Sequence, residues 1–84
     1  MQPVLDDLIA LAERVGIEVR REPLGGAGGG LCRLKGRRVL FLDYSADLAT
    51  QIEQCLSALA QVPEVDSVFV LPDLRARIDA YRQA

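Results

Sequence analysis

The stretch from Leu24 to Asp43, LGGAGGGLCRLKGRRVLFLD, constrains the fold of this chain more than any other part of it. Lys35-Gly36 is a two-residue turn with glycine where a positive φ is needed, and it separates two runs that are typical of β-strands. The strands of this predicted hairpin are Leu31 to Leu34 and Arg37 to Asp43. The turn also fixes which side chains lie opposite one another: Cys32 and Val39, Arg33 and Arg38, and Leu34 and Arg37.

The glycines before the hairpin predict a loop from Pro23 to Gly30. Five glycines in six positions cost too much backbone entropy for a helix or a strand. We expect a flexible connection, because the loop runs into a strand and not into the helix N-terminus at which phosphate-binding loops place their glycines. The chain also lacks a GxGxxG or GK[ST] pattern in that context.

The segments on either side of this stretch alternate between helix and strand. Apolar residues at helical spacing predict a helix on each side, and the run SVFVL, too short for a helix, predicts a buried strand. Before the hairpin, we predict a helix from Pro3 to Val15 closed by Gly16 and a strand from Ile17 to Glu22. After it, we predict a helix that Ser45 caps and Val62-Pro63 ends, and a strand from Ser67 to Leu71. Pro72 and Asp73 open the last helix, in which Leu74, Ile78 and Tyr81 face inward and Arg75, Arg77 and Arg82 face outward.

This order of elements predicts an α+β, or mixed α/β, fold in a single domain over residues 1–84. A strand, helix, strand segment such as 37–71 normally makes a right-handed crossover between parallel strands, whereas the hairpin before it is antiparallel. We therefore expect a four-stranded mixed sheet packed with helices. Val39 and Leu40 point to opposite faces of this sheet, so we expect either that the three helices cover both faces or that a second subunit covers one of them.

Composition indicates a soluble cytoplasmic domain. Half of the residues are apolar and 26% are charged, which is typical of globular proteins. No apolar run is long enough to span a bilayer, and acids stand where a signal peptide carries basic groups, so we expect no membrane contact. Cys32 and Cys55 lie among apolar residues, and we expect both thiols to be reduced and buried.

The net charge of −2 is unevenly distributed along the chain. Residues 1–13 carry −3, residues 14–38 carry +5, and residues 39–66 carry −5. A basic block between acidic ones favours pairing within the chain or between copies over nucleic-acid binding, which usually needs a net positive domain. The few aromatic side chains also do not provide a platform on which bases could stack.

The basic hairpin and the glycine loop form a candidate anion site. Arg33 opposite Arg38 is destabilising unless an acid or an anion lies between them. Glu18 or Glu22 on the neighbouring strand is the expected acid. If an anion takes that place, the chain is a small anion- or nucleotide-binding protein. The residues of that site would be Gly28, Gly29, Gly30, Arg33, Arg37 and Arg38.

A second candidate is the acidic edge at which one strand ends and the next helix begins. Asp43 and Ser45 lie there, and Asp73 joins them if the strand predicted after the helix runs parallel. Two carboxylates and a hydroxyl are the groups of a carboxylate-based hydrolase. However, the chain has no histidine, the commonest proton shuttle, and capping and turn formation account for the same residues. We therefore expect no catalytic residue, no cofactor and no metal.

Two resemblances bear on function. The order LAERVGIEVRREPL, a glycine-bearing strand, RRVLFLD and a helix resembles the segment leading into the active helix of ImmA/IrrE-type metallopeptidases, over roughly residues 8–60. That family holds zinc with HExxH, whereas this chain has QIEQCLSALAQ with Glu53 and no histidine, so the resemblance implies neither metal nor catalysis. The chain also resembles a family of small bacterial proteins with a GGxCRLxGrrvlflD-type core, which implies no activity.

We therefore expect a non-catalytic domain that acts through protein contacts, with a homodimer as the expected assembly. The apolar strand from Val39 to Leu42, which needs cover on both faces, motivates the dimer. The alternatives are the anion or nucleotide binder and the hydrolase described above.

Overall fold

The computed structural model describes residues 3–26 and 28–83. The α+β fold class predicted from the sequence is confirmed over these ranges. The helices and strands are α1 (Pro3–Arg14), β1 (Ile17–Glu22), β2 (Gly30–Leu34), β3 (Arg37–Asp43), α2 (Leu48–Ala60), a 3₁₀ helix (Pro63–Ser67) and α3 (Pro72–Arg82). Within the described ranges, every helix is too short or too polar to cross a membrane.

The sheet has the strand order β1-β3-β2, with β3 in the centre. β2 pairs antiparallel with β3 in the predicted register, which places Arg33 opposite Arg38. Lys35 and Gly36 have φ values of 52° and 78°, as the two central residues of a type I′ turn require. β1 pairs parallel with the other side of β3, so the sheet is mixed, as predicted.

The predicted fourth strand is wrong. Residues 63–67 form the 3₁₀ helix, and residues 68–71 continue without pairing to the sheet. The physical reason is that β3 already has a strand on each side, which leaves no place beside it for the predicted crossover. Val70 packs into the core instead, whereas Phe69 and Leu71 are exposed.

The helices cover one face of the sheet. Leu40 and Leu42 of β3 face them in a core to which all three helices contribute. Fully buried members of that core include Leu8, Leu59 and Ile78. Cys55 lies in the same core, as predicted, and burial raises the pKa of its thiol to about 12.

The other face of the sheet, which we call the open face, carries Val39 and Phe41. Arg20 lies 5.9 Å from the centroid of the Phe41 ring and donates to Glu18 at 2.6 Å. Long charged side chains therefore shield this face, and Val39 is only 2% exposed. The alternative in which the three helices cover both faces is thus wrong. Cys32, expected to be buried, is exposed on the edge strand β2.

Hydrogen bonds before α2 explain why Asp47, and not the predicted Ser45, is its N-cap. The Ser45 N–H donates to the Asp43 carboxylate within a turn that precedes the helix. Asp47 Oδ1 accepts from the Thr50 N–H at 2.8 Å. The hydroxyl and N–H of Thr50 hold the pKa of Asp47 below its usual value. The helix therefore begins at Leu48.

Arginines of α3 tie this helix to the 3₁₀ helix. Arg75 and Arg82 donate to Asp66 at 2.7 and 2.8 Å, and these two hydrogen bonds lower the pKa of the Asp66 carboxyl. Both arginines were predicted to face outward, and they are partly buried because of these bonds. Tyr81, predicted to face inward, is exposed.

Candidate functional site

The predicted anion site is divided between the two ends of β3. Gly28, Gly29 and Gly30 lie near the carboxyl end of the strand, whereas Arg37 and Arg38 lie at its amino end. A strand of this length spans roughly 20 Å, so one small anion cannot contact both groups. The glycines and the arginines therefore belong to separate sites.

The strand order explains the position of the glycine loop, residues 23–29. β1 and β2 flank β3, so the carboxyl end of β1 and the amino end of β2 lie roughly 10 Å apart, on either side of the central strand. The chain has to cross the carboxyl end of β3 to connect them. Asp43 is the last residue of β3 and lies beneath that crossing.

The Asp43 carboxylate binds four backbone N–H groups. Its Oδ1 accepts from Leu24 at 2.8 Å and from Ser45 at 2.9 Å. Its Oδ2 accepts from Gly26 and from Gly28, the latter at 3.3 Å. Three of the four donors belong to the glycine loop, so this carboxylate fixes the path of the loop over the sheet.

These bonds decide what Asp43 can do chemically. Burial by itself raises the pKa of the Asp43 carboxyl, but the four N–H donors outweigh it and the pKa lies below its usual value. The carboxylate is ionised at neutral pH, and its roughly four acceptor positions are occupied. It therefore offers no free lone pair to abstract a proton or to bind a metal, and its role is structural.

Gln54 of α2 holds the same loop from the other side. Its Nε2 donates to the Gly28 carbonyl at 2.7 Å. Gly29, with φ of +106°, leaves no room for a side chain, since a Cβ there would lie 2.7 Å from the Phe41 carbonyl oxygen and 2.9 Å from Gln54 Nε2. The described residues of the loop, 23–26 and 28–29, are thus tied to Asp43 and Gln54 by hydrogen bonds, and Gly29 is closely packed.

The acidic edge does not assemble as a site in the way the sequence suggests. The Ser45 N–H donates to the Asp43 carboxylate, and Ser45 is part of the turn that precedes α2. Asp73 lies in the first turn of α3 and is exposed, and the parallel strand that would have brought it to Asp43 does not form. Over residues 3–26 and 28–83, no three His, Cys, Asp or Glu side chains converge to hold a metal.

The amino end of β3 opens onto a cleft of about 600 Å³, which we call the basic cleft. Arg38 Nη1 lies 3.1 Å from Glu64 Oε2, so the acid that neutralises Arg38 comes from the 3₁₀ helix. The predicted partners were Glu18 and Glu22. The Glu64 backbone N–H and Arg38 hold the pKa of the Glu64 carboxyl below its usual value. The cleft is lined by Val15, Gly16, Glu18, Arg33, Gly36, Arg37, Arg38 and Glu64.

A further surface lies where the sequence indicates a buried strand. Phe69 is 71% exposed and Leu71 is 50% exposed. They border a groove of about 300 Å³ between residues 69–74 and α1, and Arg14 Nη2 holds the segment by donating to the Phe69 carbonyl at 2.8 Å. We call this region the Phe69 surface, and its lining residues are Asp7, Ala10, Leu11, Arg14, Phe69, Val70, Leu71 and Leu74.

Sequence reasoning missed the Phe69 surface for a physical reason. An apolar run of five residues has the same composition whether it pairs in a sheet or lies on a helix. Only the strand order shows that the sheet has no position for this run next to β3.

No protein-family model, curated protein or solved structure matches this chain. The resemblances to the metallopeptidase segment and to the small bacterial family therefore stay predictions.

Proposed function

We propose that this chain is a non-catalytic domain that acts through protein contacts and forms a homodimer through the Phe69 surface. The observation that carries the proposal is the exposure of Phe69 beside an apolar groove. The saturated hydrogen bonding of Asp43 supports a role without catalysis. A cytoplasmic location fits the two free thiols, of which Cys55 is enclosed in the core.

Covering the exposed Phe69 with another surface would be favourable. Burying a phenylalanine side chain stabilises a protein by roughly 1.5–3 kcal/mol. Tyr44 is also exposed, at 54%, but its hydroxyl group can bind water, whereas the Phe69 ring has no polar atom. An exposed apolar side chain next to an apolar groove is typical of a surface that binds another protein.

The charges on α1 favour a second copy of the chain as the occupant. Asp7 and Arg14 both line the groove and lie two turns apart, separated by about 10 Å along the helix. The exposed Ala10 lies between them and allows close approach. If two α1 helices pack antiparallel about a twofold axis near Ala10, Asp7 of each copy lies opposite Arg14 of the other.

The same twofold arrangement gives Phe69 a place to bind. The groove is lined on its inner side by Leu11, Val70 and Leu74, and Phe69 lies at its border. Because a twofold interface uses the same surface on both copies, Phe69 of each copy can enter the groove of the other. The interface is then apolar at its centre and charged at its rim, as in known dimers.

Sedimentation equilibrium at tens of micromolar tests this proposal. We expect the wild type to have the mass of two chains and Phe69→Ser the mass of one, since the substitution removes the apolar contact without disturbing the core. Tyr44→Ser is the matched control, because it removes another exposed aromatic ring, and it should stay a dimer. A wild type at the mass of one chain, or a Phe69→Ser variant that remains a dimer, would refute the proposed interface.

A further inference from the structure

We propose that the basic cleft binds the phosphate group of a small phosphorylated molecule, a phosphate monoester in its dianionic form. The cleft lies between the tip of the β2-β3 hairpin, the turn after α1 and the 3₁₀ helix. It shares no lining residue with the Phe69 surface, so this inference is independent of the proposed dimer.

The balance of charge in the cleft is the first argument. Three arginines and two glutamates line it. Each glutamate already has an arginine: Glu18 binds Arg20 at 2.6 Å, and Glu64 binds Arg38 at 3.1 Å. In the described part of the chain, Arg33 and Arg37 have no carboxylate within 4.0 Å. Two uncompensated positive charges at one cleft match the charge of a phosphate dianion.

The geometry of the hairpin is the second argument. Arg33 lies directly opposite Arg38 across the strand pair, and like charges in that position destabilise a sheet. Glu64 approaches this pair from one side and lies near enough to Arg33 for the guanidinium to lower the pKa of its carboxyl. An anion beside Arg33 would relieve its repulsion with Arg38, and Arg37, the first residue of β3, lines the same cleft. Guanidinium groups donate two parallel N–H groups to phosphate oxygens, which makes arginine the usual choice for such a site.

The size of the cleft points to more than inorganic phosphate. Its volume of about 600 Å³ lies in the range of small-molecule sites, and a phosphate group fills only part of it. Gly16 and Gly36 form part of the wall and carry no side chain that would close it. The glycine loop takes no part, since its N–H groups bind Asp43 at the other end of β3.

Thermal unfolding with added ligand tests this inference. The probes are inorganic phosphate and AMP, compared with chloride at equal ionic strength near pH 8, where both phosphates are dianions. We expect both to raise the melting temperature above that in chloride, and AMP to act at the lower concentration. No added stabilisation by either probe would overturn the inference, and stabilisation by inorganic phosphate alone would overturn the assignment to a monoester.

Substitutions of single arginines test whether the ligand binds in the basic cleft. Arg33→Gln and Arg37→Gln should each weaken AMP binding by about tenfold or more, which is the loss expected for one charge-assisted hydrogen-bonding group. Arg77→Gln, which removes an exposed arginine of α3, should bind as the wild type does. Arg33→Lys keeps the charge without the planar fork and should bind with intermediate affinity. Equal losses in Arg33→Gln and Arg77→Gln would show that binding follows net charge and not this cleft, which would overturn the inference.

Discussion

The two ends of β3 differ in how their charged side chains are paired and how accessible they are. At the carboxyl end, the Asp43 carboxylate is fully buried and receives four backbone N–H groups. At the amino end, Arg33 and Arg37 line an open cleft whose two acids are already engaged with other arginines. A charged side chain at the end of a strand therefore indicates chemistry only when its partners leave it accessible. By that criterion Asp43 is part of the scaffold, and the arginines are available to a ligand.

The strand order explains both the burial of Asp43 and the accessibility of the arginines. Because β3 lies between β1 and β2, the β1-β2 connection has to pass over the end of β3, and it brings its N–H groups to Asp43. At the other end, the tight turn at Lys35-Gly36 joins β2 to β3 directly and covers nothing. The arginines there remain at the surface.

The largest effect is expected from Asp43→Asn. The amide nitrogen would place N–H donors against the loop N–H groups, so at least two of the four hydrogen bonds would be lost in a buried position. We expect a fall of many degrees in melting temperature, or loss of the folded state, in thermal unfolding followed by circular dichroism. Asp73→Asn is the exposed control and should change the free energy of unfolding by no more than about 0.5 kcal/mol. Equal stability of the two variants would contradict the structural role of Asp43.

The stability of the fold should also depend on pH, because folding lowers the pKa of carboxyl groups at both ends of β3 and beyond it. The pKa of Asp43 is lowered by folding, as are those of Asp47, Glu64 and Asp66. Such groups stabilise the fold fully above their unfolded pKa of about 4 and lose that contribution as the pH falls through the lower folded values. Urea unfolding at a series of pH values should show stability falling below about pH 4. A free energy of unfolding that is constant through this range would contradict the lowered pKa values.

A smaller loss is expected from Gly29→Ala. A Cβ at this position would overlap the Phe41 carbonyl oxygen and the Gln54 amide, and φ is positive there. Gly25→Ala is the matched control, because Gly25 also has a positive φ but no atom within 4 Å of its Cβ position. We expect Gly25→Ala to cost roughly 1–2 kcal/mol of backbone strain. Gly29→Ala should cost about 1–3 kcal/mol more, from overpacking. Equal free energies of unfolding would show that Gly29 is not closely packed against Phe41 and Gln54.

At the amino end of β3, removing a positive charge should change the free energy of unfolding only slightly, and any change should be an increase. Arg33→Gln relieves the repulsion with Arg38, so in chloride we expect an unchanged or slightly higher free energy of unfolding, within about 0.5 kcal/mol. Denaturant unfolding without phosphate measures this change. A clear loss of stability would mean that Arg33 has an internal partner that the cleft geometry does not show.

The hairpin was predictable from the sequence to the level of individual pairs, because a two-residue turn determines the register. The strand at residues 67–71 and the cover of the open face were not, because both depend on β1 lying beside β3. The local sequence of these segments does not show that β1 pairs with β3. Arg38 was correctly expected to have an acidic partner, but Glu64 reaches it only through the path of the 3₁₀ helix.

The role of Asp43 did leave a signal in the sequence. A glycine-rich loop exposes several N–H groups, and an acid at the end of a buried strand is a suitable acceptor for them. The four bonds to Asp43 show them to be one structural unit.

The proposed dimer through α1 is tested most directly by reversing its charges and measuring mass by sedimentation equilibrium. Asp7→Arg and Arg14→Asp each place like charges opposite one another in the dimer, so each variant alone should have the mass of one chain. In an equimolar mixture, every substituted side chain faces an opposite charge on the other copy, and we expect the mass of two chains at the concentration at which the wild type is dimeric. A mixture that stays at the mass of one chain while the wild type is dimeric would contradict the pairing of Asp7 with Arg14 across a twofold axis.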